Sequence, residues 1–383
     1  MKTLARLWRG AGVALGVALV TLVLLVVVLE TGYAAYHAAR RASWGERGWF
    51  DSADHPFWNQ KWFAGRLNRM NRLAMSVVYD PYRGWRLRPT SLPDLNIDSA
   101  GIRLTVQPAA AATARRVFLL GGSTMWGFSA RDPYTIPSLV AGRLARLGVT
   151  DVEVVNLASI GYNVTQGANT LLLELRRGNV PSVVVSLDGV NEVGLVYEGG
   201  WPGEVYQQAR AEEHFDHTRF WHDVAYLRIH LSGTMRAEAV AKRILGLTKD
   251  PVPPSTEVLC ADVAAYYTRV TRAIESMGRE FGFPTLFLTT PTLARSRKPR
   301  TKWEASIDRA DARLRELTTR CGTVTESLMA SRLGISFFPL DSLFDRDTAS
   351  VFLDHFGHVT EEANGIIADR IVELIAPLLR PAS

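Results

Sequence analysis

The sequence predicts a three-layer α/β/α fold, a parallel sheet covered by helices on both faces, with a transmembrane helix at the N-terminus. Two observations carry this. From Arg115 onward, short β-branched runs alternate with longer helical patterns, and the runs are continuously apolar, as strands buried on both faces are. Upstream, the nineteen residues Ala11 to Leu29 hold no charge. A helix of that length spans about 28 Å, close to the hydrocarbon thickness of a bilayer.

With 383 residues, 47% of them hydrophobic, the chain is long enough for one large core and an appendage. Residues 1–30 are expected to form the anchor. Lys2, Arg6 and Arg9 precede the apolar run, whereas the downstream flank starts with Glu30 and reaches Arg40 and Arg41 later. That asymmetry favours a cytoplasmic N-terminus and an exported body. The segment after the run offers only poor small-x-small cleavage sites, so an uncleaved single-pass signal anchor is expected over a cleaved signal peptide. Residues 31–114 read as a juxtamembrane extension without a sustained period. It carries Trp44, Trp49, Phe50, Phe57, Trp58, Trp62 and Phe63, which suit an interfacial belt and packing on the main domain equally well.

The main domain, 115–383, has candidate strands at Arg116–Leu120, Val152–Asn156, Ser182–Leu187, Thr285–Thr289 and Ile335–Pro339. Helical patterns cover Tyr134–Leu147, Gly167–Arg177, Val263–Phe281 and Lys302–Leu333, the last with a break expected near Cys321-Gly322. Residues 205–254 separate the third and fourth strands by more than a connection needs and predict a helical insertion or lid. The net charge is +6, but the basic residues are scattered and accompany no nucleic-acid-binding motif, so no nucleic-acid partner is expected. Cys260 and Cys321 are the two cysteines. They suit a disulfide in an oxidising compartment or two buried thiols, and no Cys/His cluster has metal-ligand spacing. No metal and no cofactor are expected.

In such a sheet, chemistry gathers at the carboxyl ends of the strands. Val117-Phe118-Leu119-Leu120-Gly121-Gly122-Ser123-Thr124 ends a strand in a glycine turn that lifts one hydroxyl at the start of a helix. Ser123 there is a candidate nucleophile or a helix N-cap. It lacks the Gly-x-Gly-x-x-Gly spacing and the lysine of phosphate-binding loops. The second strand is followed by Asn156 to Asn163 with Gly161, the third by Asp188-Gly189-Val190-Asn191-Glu192. Near the C-terminus stands Asp354-His355-Phe356-Gly357-His358. Acyl transfer needs a nucleophile, a base and oxyanion donors, and these segments supply each type. Gly161 alone reads as a turn glycine and Asn191 alone as an N-cap; their order along the chain is what gives weight to the chemical reading.

The four segments together resemble the blocks of the SGNH hydrolases, the GDSL-like esterase/lipase family. The resemblance covers residues 115–380 and implies a flavodoxin-like sheet. It assigns Ser123 as nucleophile, His358 as base, and Ser123, Gly161 and Asn191 as oxyanion donors. Two departures stand out. Gly122 occupies the place of the family's Asp. The family spaces its acid and base as Asp-x-x-His, while three residues separate Asp354 from His358, which leaves Asp354 open as the orienting acid. His355 reads as a neighbour rather than the base.

The resulting expectation is a membrane-tethered serine esterase with an extracytoplasmic catalytic domain. It would remove a short acyl group, acetyl above all, from a glycan or other cell-envelope substrate. The alternatives are a non-catalytic polysaccharide-binding or envelope-assembly module, favoured by the irregular Asp354–His358 spacing, and an O-acyltransferase using the same residues.

Overall fold

A computed structural model of the chain describes residues 77–108, 114–198, 201–205 and 254–379, together with 55–57 and scattered helical positions between 16 and 32. By its contacts the chain divides into two units, 1–51 with 209–252 and 52–208 with 253–383. In the first unit, the apolar run Ala11–Leu29 lies largely outside the described residues, and those described within it are helical. Among the described residues, no helix is long and apolar enough to cross a membrane. The insertion expected at 205–254 lies, except at its two ends, outside the described residues, as do most aromatics of the extension.

In the second unit, four short strands come first: β1 (Val77–Asp80), β2 (Gly84–Leu87), β3 (Thr90–Leu92) and β4 (Leu95–Ile97). They form two antiparallel hairpins in a region where the sequence showed no strand period. Turn chemistry makes the first: Asp80 Oδ1 accepts the N–H groups of Tyr82 and Arg83 at 3.1 and 2.9 Å, and Oδ2 binds the Arg83 guanidinium. Two-stranded ribbons are marginal alone, and these are fastened to the larger sheet's layers by side chains. Tyr162 donates its hydroxyl to Trp85 O at 2.6 Å, Gln166 donates to Arg83 O at 2.7 Å, and Asn96 donates to Asp132 at 2.8 Å.

The remaining elements alternate: β5 (Arg115–Gly121), α1 (Ser123–Trp126), α2 (Ile136–Arg146), β6 (Val152–Asn156), α3 (Val164–Arg176), β7 (Val183–Asp188) and α4 (Val190–Tyr197). After residue 254 follow α5 (Thr256–Phe281), β8 (Thr285–Thr289), α6 (Lys302–Ala310), α7 (Ala312–Ala330), β9 (Phe337–Phe338) and α8 (Glu361–Leu379). The parallel sheet has the order β6-β5-β7-β8-β9, the flavodoxin-like winding. Phe118, Leu120, Val184 and Phe287 turn to one face, against Leu171 of α3 and Tyr267 and Ile274 of α5. Helices α2 and α8 pack together on the other face, burying Ile136, Val140 and Leu144 with Ile367, Ile371 and Ile375 at i, i+4 spacing.

Strands β6 and β8 match their predicted bounds, β5 extends one residue further at each end, and β9 keeps only two of five expected residues. Helix α3 starts at Val164, earlier than expected, because Asn163 and Gln166 form a capping box. The break expected near Cys321-Gly322 falls instead at Asp311, whose carboxylate caps Leu314 N at 2.9 Å. Cys260 of α5 and Cys321 of α7 form a disulfide inside a buried cluster with Val193, Val263 and Leu317.

Candidate active site

The crossovers leave β5 in opposite directions, so the crevice between the carboxyl ends of β5 and β7 is the switch point where such sheets bind ligands. Three of the four singled-out segments leave the sheet around this crevice. At the end of β5, Gly121 has φ +147°, and a Cβ on it would stand 2.4 Å from Leu187 O. A Cβ on Gly122 would stand 2.2 Å from Asn191 Nδ2. At Gly121 the clash is with backbone and only glycine fits, whereas at Gly122 a side chain requires the Asn191 amide to move aside. Gly122, not Ser123, takes the N-cap position of α1, and Ser123 is the first helical residue.

Beneath this turn lies Arg103, 1% exposed. Its guanidinium pairs with buried Asp132 and donates to Trp126 O at 3.1 Å and Ala130 O at 2.7 Å, satisfying carbonyls where α1 ends. The cation also lies 4.5 Å from the Trp126 ring centroid.

His358 comes from a small hairpin-like loop. Phe352 and Val359 form an antiparallel bridge, Leu353 N donates to His358 O at 2.8 Å, and Thr360 N donates to Val351 O at 3.0 Å. Gly357 sits at φ +75°, and a Cβ there would meet Thr290 Cγ2 at 2.7 Å and Pro291 O at 2.8 Å. The turn absorbs the three-residue spacing and brings Asp354 Oδ2 onto His358 Nδ1. Asp354 Oδ1 accepts Phe356 N at 2.8 Å and His358 N at 3.3 Å. With Nδ1–H donated to Asp354, Nε2 carries the lone pair that accepts the Ser123 hydroxyl, 2.7 Å away. Burial alone would raise the Asp354 pKa, but the His358 ring and the two backbone N–H groups outweigh it and hold the carboxyl below its usual range.

The serine segment and the histidine loop are tied on either side of His358. Thr124 Oγ1 donates to Gly357 O at 3.1 Å and Ser129 Oγ to Val359 O at 2.6 Å. The Phe128 ring stacks on the imidazole with centroids 4.5 Å apart. His355 is half-buried, and burial lowers its pKa against the charges of Asp354, Asp311 and Asp308.

The remaining two predicted residues lie just beyond β6 and β7. Gly161 has φ +74° in the loop after β6, which Ser159 N pins to Gly121 O at 3.2 Å. Asn191 is the second residue of α4, whose N-cap is Gly189. Its Nδ2 donates to Tyr162 O at 2.6 Å while lying over Gly122. Neither Ser123 N–H nor Gly161 N–H has an acceptor among the described residues. Behind the end of β7, burial and the neighbouring charge of Glu192 raise the Asp188 carboxyl above its usual range. The residues that hold these groups, Arg103, Thr124, Phe128 and Ser129, carry no sequence signal, because each acts on a partner distant in the chain or on backbone carbonyls.

No protein-family model matches the sequence, and no curated protein matches it. Among solved structures, the chain is similar to LAE5, an alpha/beta hydrolase enzyme from the metagenome of Lake Arreo, at 16% identity and TM-score 0.37, over 71% of this chain and 99% of that one. It is similar to the acetyl xylan esterase AlAXEase at 13% identity and TM-score 0.36, covering 68% and 99%. A lipase from a goat rumen metagenome gives 9% identity and TM-score 0.41, covering 68% and 97%.

Proposed function

We propose that this chain is a serine esterase of the SGNH kind. The observation that carries the reading is the 2.7 Å contact between Ser123 Oγ and His358 Nε2, with Asp354 on the far ring nitrogen. In this reading, the Ser123 hydroxyl gives its proton to Nε2 as Oγ bonds to the ester carbonyl carbon. The carbonyl electrons move onto oxygen, which is met by Ser123 N–H, Gly161 N–H and the Asn191 amide. Asp354 stabilises the imidazolium. Collapse expels the alcohol, which takes the proton from His358, and water or an acceptor hydroxyl releases the acyl group by the reverse sequence.

The non-catalytic alternative rests on the irregular Asp354–His358 spacing and on the long aromatic extension; against the first stands the turn at Gly357, which still brings Asp354 onto His358. Water and a sugar hydroxyl are chemically equivalent acceptors here, so an O-acyltransferase is told apart only by trapping the acylated acceptor. A membrane tether with the catalytic unit outside the cytoplasm rests on the uncharged run Ala11–Leu29 and its basic N-terminal flank. Val17, Val20, Leu24 and Val28, helical there, are 61%, 58%, 58% and 63% exposed, as lipid-facing side chains would be. A cell-envelope ester of a short acid, acetyl above all, on a glycan is the substrate class this placement suits. The tether predicts that alkaline carbonate leaves the full chain in the membrane fraction; release into the supernatant contradicts it.

Ser123→Ala is expected to abolish hydrolysis of an aryl acetate and labelling by a fluorophosphonate, with the fold retained. Turnover equal to wild type in that variant excludes the mechanism.

A further inference from the structure

One buried ion pair in the molecule has no place in the chemistry above. Lys298 and Glu304 pair with both side chains wholly inaccessible. Lys298 Nζ also donates to Pro299 O at 2.9 Å. A buried pair of this kind brings little net stability over an apolar pair of similar volume, because both ions are stripped of water. Its reason has to be sought in what else the carboxylate holds.

Glu304 Oε2 accepts the N–H and hydroxyl of Thr301, both at 3.1 Å, as the box that starts α6. Oε1 does something else. It accepts the backbone N–H groups of Val351 at 2.9 Å and Phe352 at 3.1 Å. Those two residues are the first arm of the loop that carries Asp354 and His358: Phe352 bridges Val359, and Val351 O accepts Thr360 N. Thr301 and Ser350 hydroxyls meet at 2.8 Å beside the same arm. Burial alone would raise the Glu304 pKa, but Lys298 and the backbone donors outweigh it, so the carboxyl is held ionised as an acceptor.

We infer that Glu304, kept charged by Lys298, is a positioning residue for the Asp354–His358 loop: it fixes the arm at Val351 and Phe352 and so sets the distance from His358 Nε2 to the Ser123 oxygen. The inference rests on the esterase reading. The attack geometry tolerates little error, and a displacement of about 1 Å costs roughly a hundredfold in rate.

The test is a graded pair of double variants, each removing the buried cation with its partner so that no lone charge is left. Lys298→Met with Glu304→Gln keeps a neutral acceptor for Val351 and Phe352; Lys298→Met with Glu304→Leu keeps none. The Leu variant is expected to lose about a hundredfold in kcat on an aryl acetate, with KM within about threefold, and the Gln variant to lose several-fold. A loss of stability alone does not move kcat per folded molecule, and it does not spare the Gln variant relative to the Leu variant. The Leu variant, folded but with wild-type kcat, overturns the positioning role. In the wild-type protein the Val351 and Phe352 amides should exchange hydrogen as slowly as those of β7, and fast exchange there contradicts the clamp even where neither variant folds. A wild type that fluorophosphonate does not label defeats the esterase reading itself; a labelled wild type with indifferent variants defeats only the role of Glu304.

Discussion

The serine turn and the histidine loop deliver their groups to one point by opposite means. Ser123 is placed locally: the end of β5, two glycines with no room for a Cβ, and the first turn of α1 determine where its oxygen points. His358 is placed from a distance. Its loop has only two bridged residues of sheet character, and is held by Thr124, Ser129 and Glu304 from other parts of the chain. The placement of a nucleophile supplied by backbone geometry can be read from a short string of residues, whereas the groups that hold a distant base in place cannot.

The comparison breaks most sharply at Asp354. Asp354→Asn keeps the loop's backbone bonds in reach but favours the wrong imidazole tautomer, so kcat should fall by about 10⁴ with Ser123 still in place. A loss under tenfold would mean that Asp354 is not the orienting acid. On the serine side, Gly122→Asp places a Cβ where the Asn191 amide now stands and displaces that amide. The expected loss in kcat is about 10²–10³, that of one oxyanion donor. Wild-type turnover in Gly122→Asp would show that Asn191 is free to move away.

The smallest effect concerns stability on the histidine side. His55 is 3% exposed, with its ring 4.7 Å from that of Trp303, and burial lowers its pKa from 6.5 to about 4 against the opposing charge of Asp354. As the pH falls through that window, the unfolded chain takes up the proton first. The stabilisation conferred by neutral His55 is complete above pH 6.5 and is lost on the way down to about 4. Thermal unfolding from pH 7 to 4 should therefore show uptake of up to about one proton that His55→Phe removes. An unchanged slope in the variant would place the titration elsewhere. The Asp354 shift acts in the same direction but below its ordinary value of 3.8, outside the window.

Much of this was legible in the sequence for physical reasons that differ from place to place. Buried strands such as Val183–Asp188 carry apolar runs, here Val183 to Val185 and Leu187, and announce themselves, and Ser123, Gly161 and Asn191 each follow a strand of the sheet. The hairpins at 77–97 were hidden because strands of three or four residues give too few alternations, and their register comes from turns such as that at Asp80. The helix break at Asp311 was masked by Gly322. That glycine sits inside α7 against the Arg295 side chain, and the helix runs on through it. Nor could the spacing of Asp354 and His358 be judged without Gly357, whose left-handed turn accommodates the additional residue.

The most direct measurement is the rate at which a fluorophosphonate labels Ser123 in wild type and in His358→Ala. A hydroxyl activated by the ring 2.7 Å away should react at least about a thousandfold faster in the wild type, and mass spectrometry should place the adduct on Ser123. Equal rates in the two proteins, or an adduct on another residue, would contradict the pairing on which the whole reading depends.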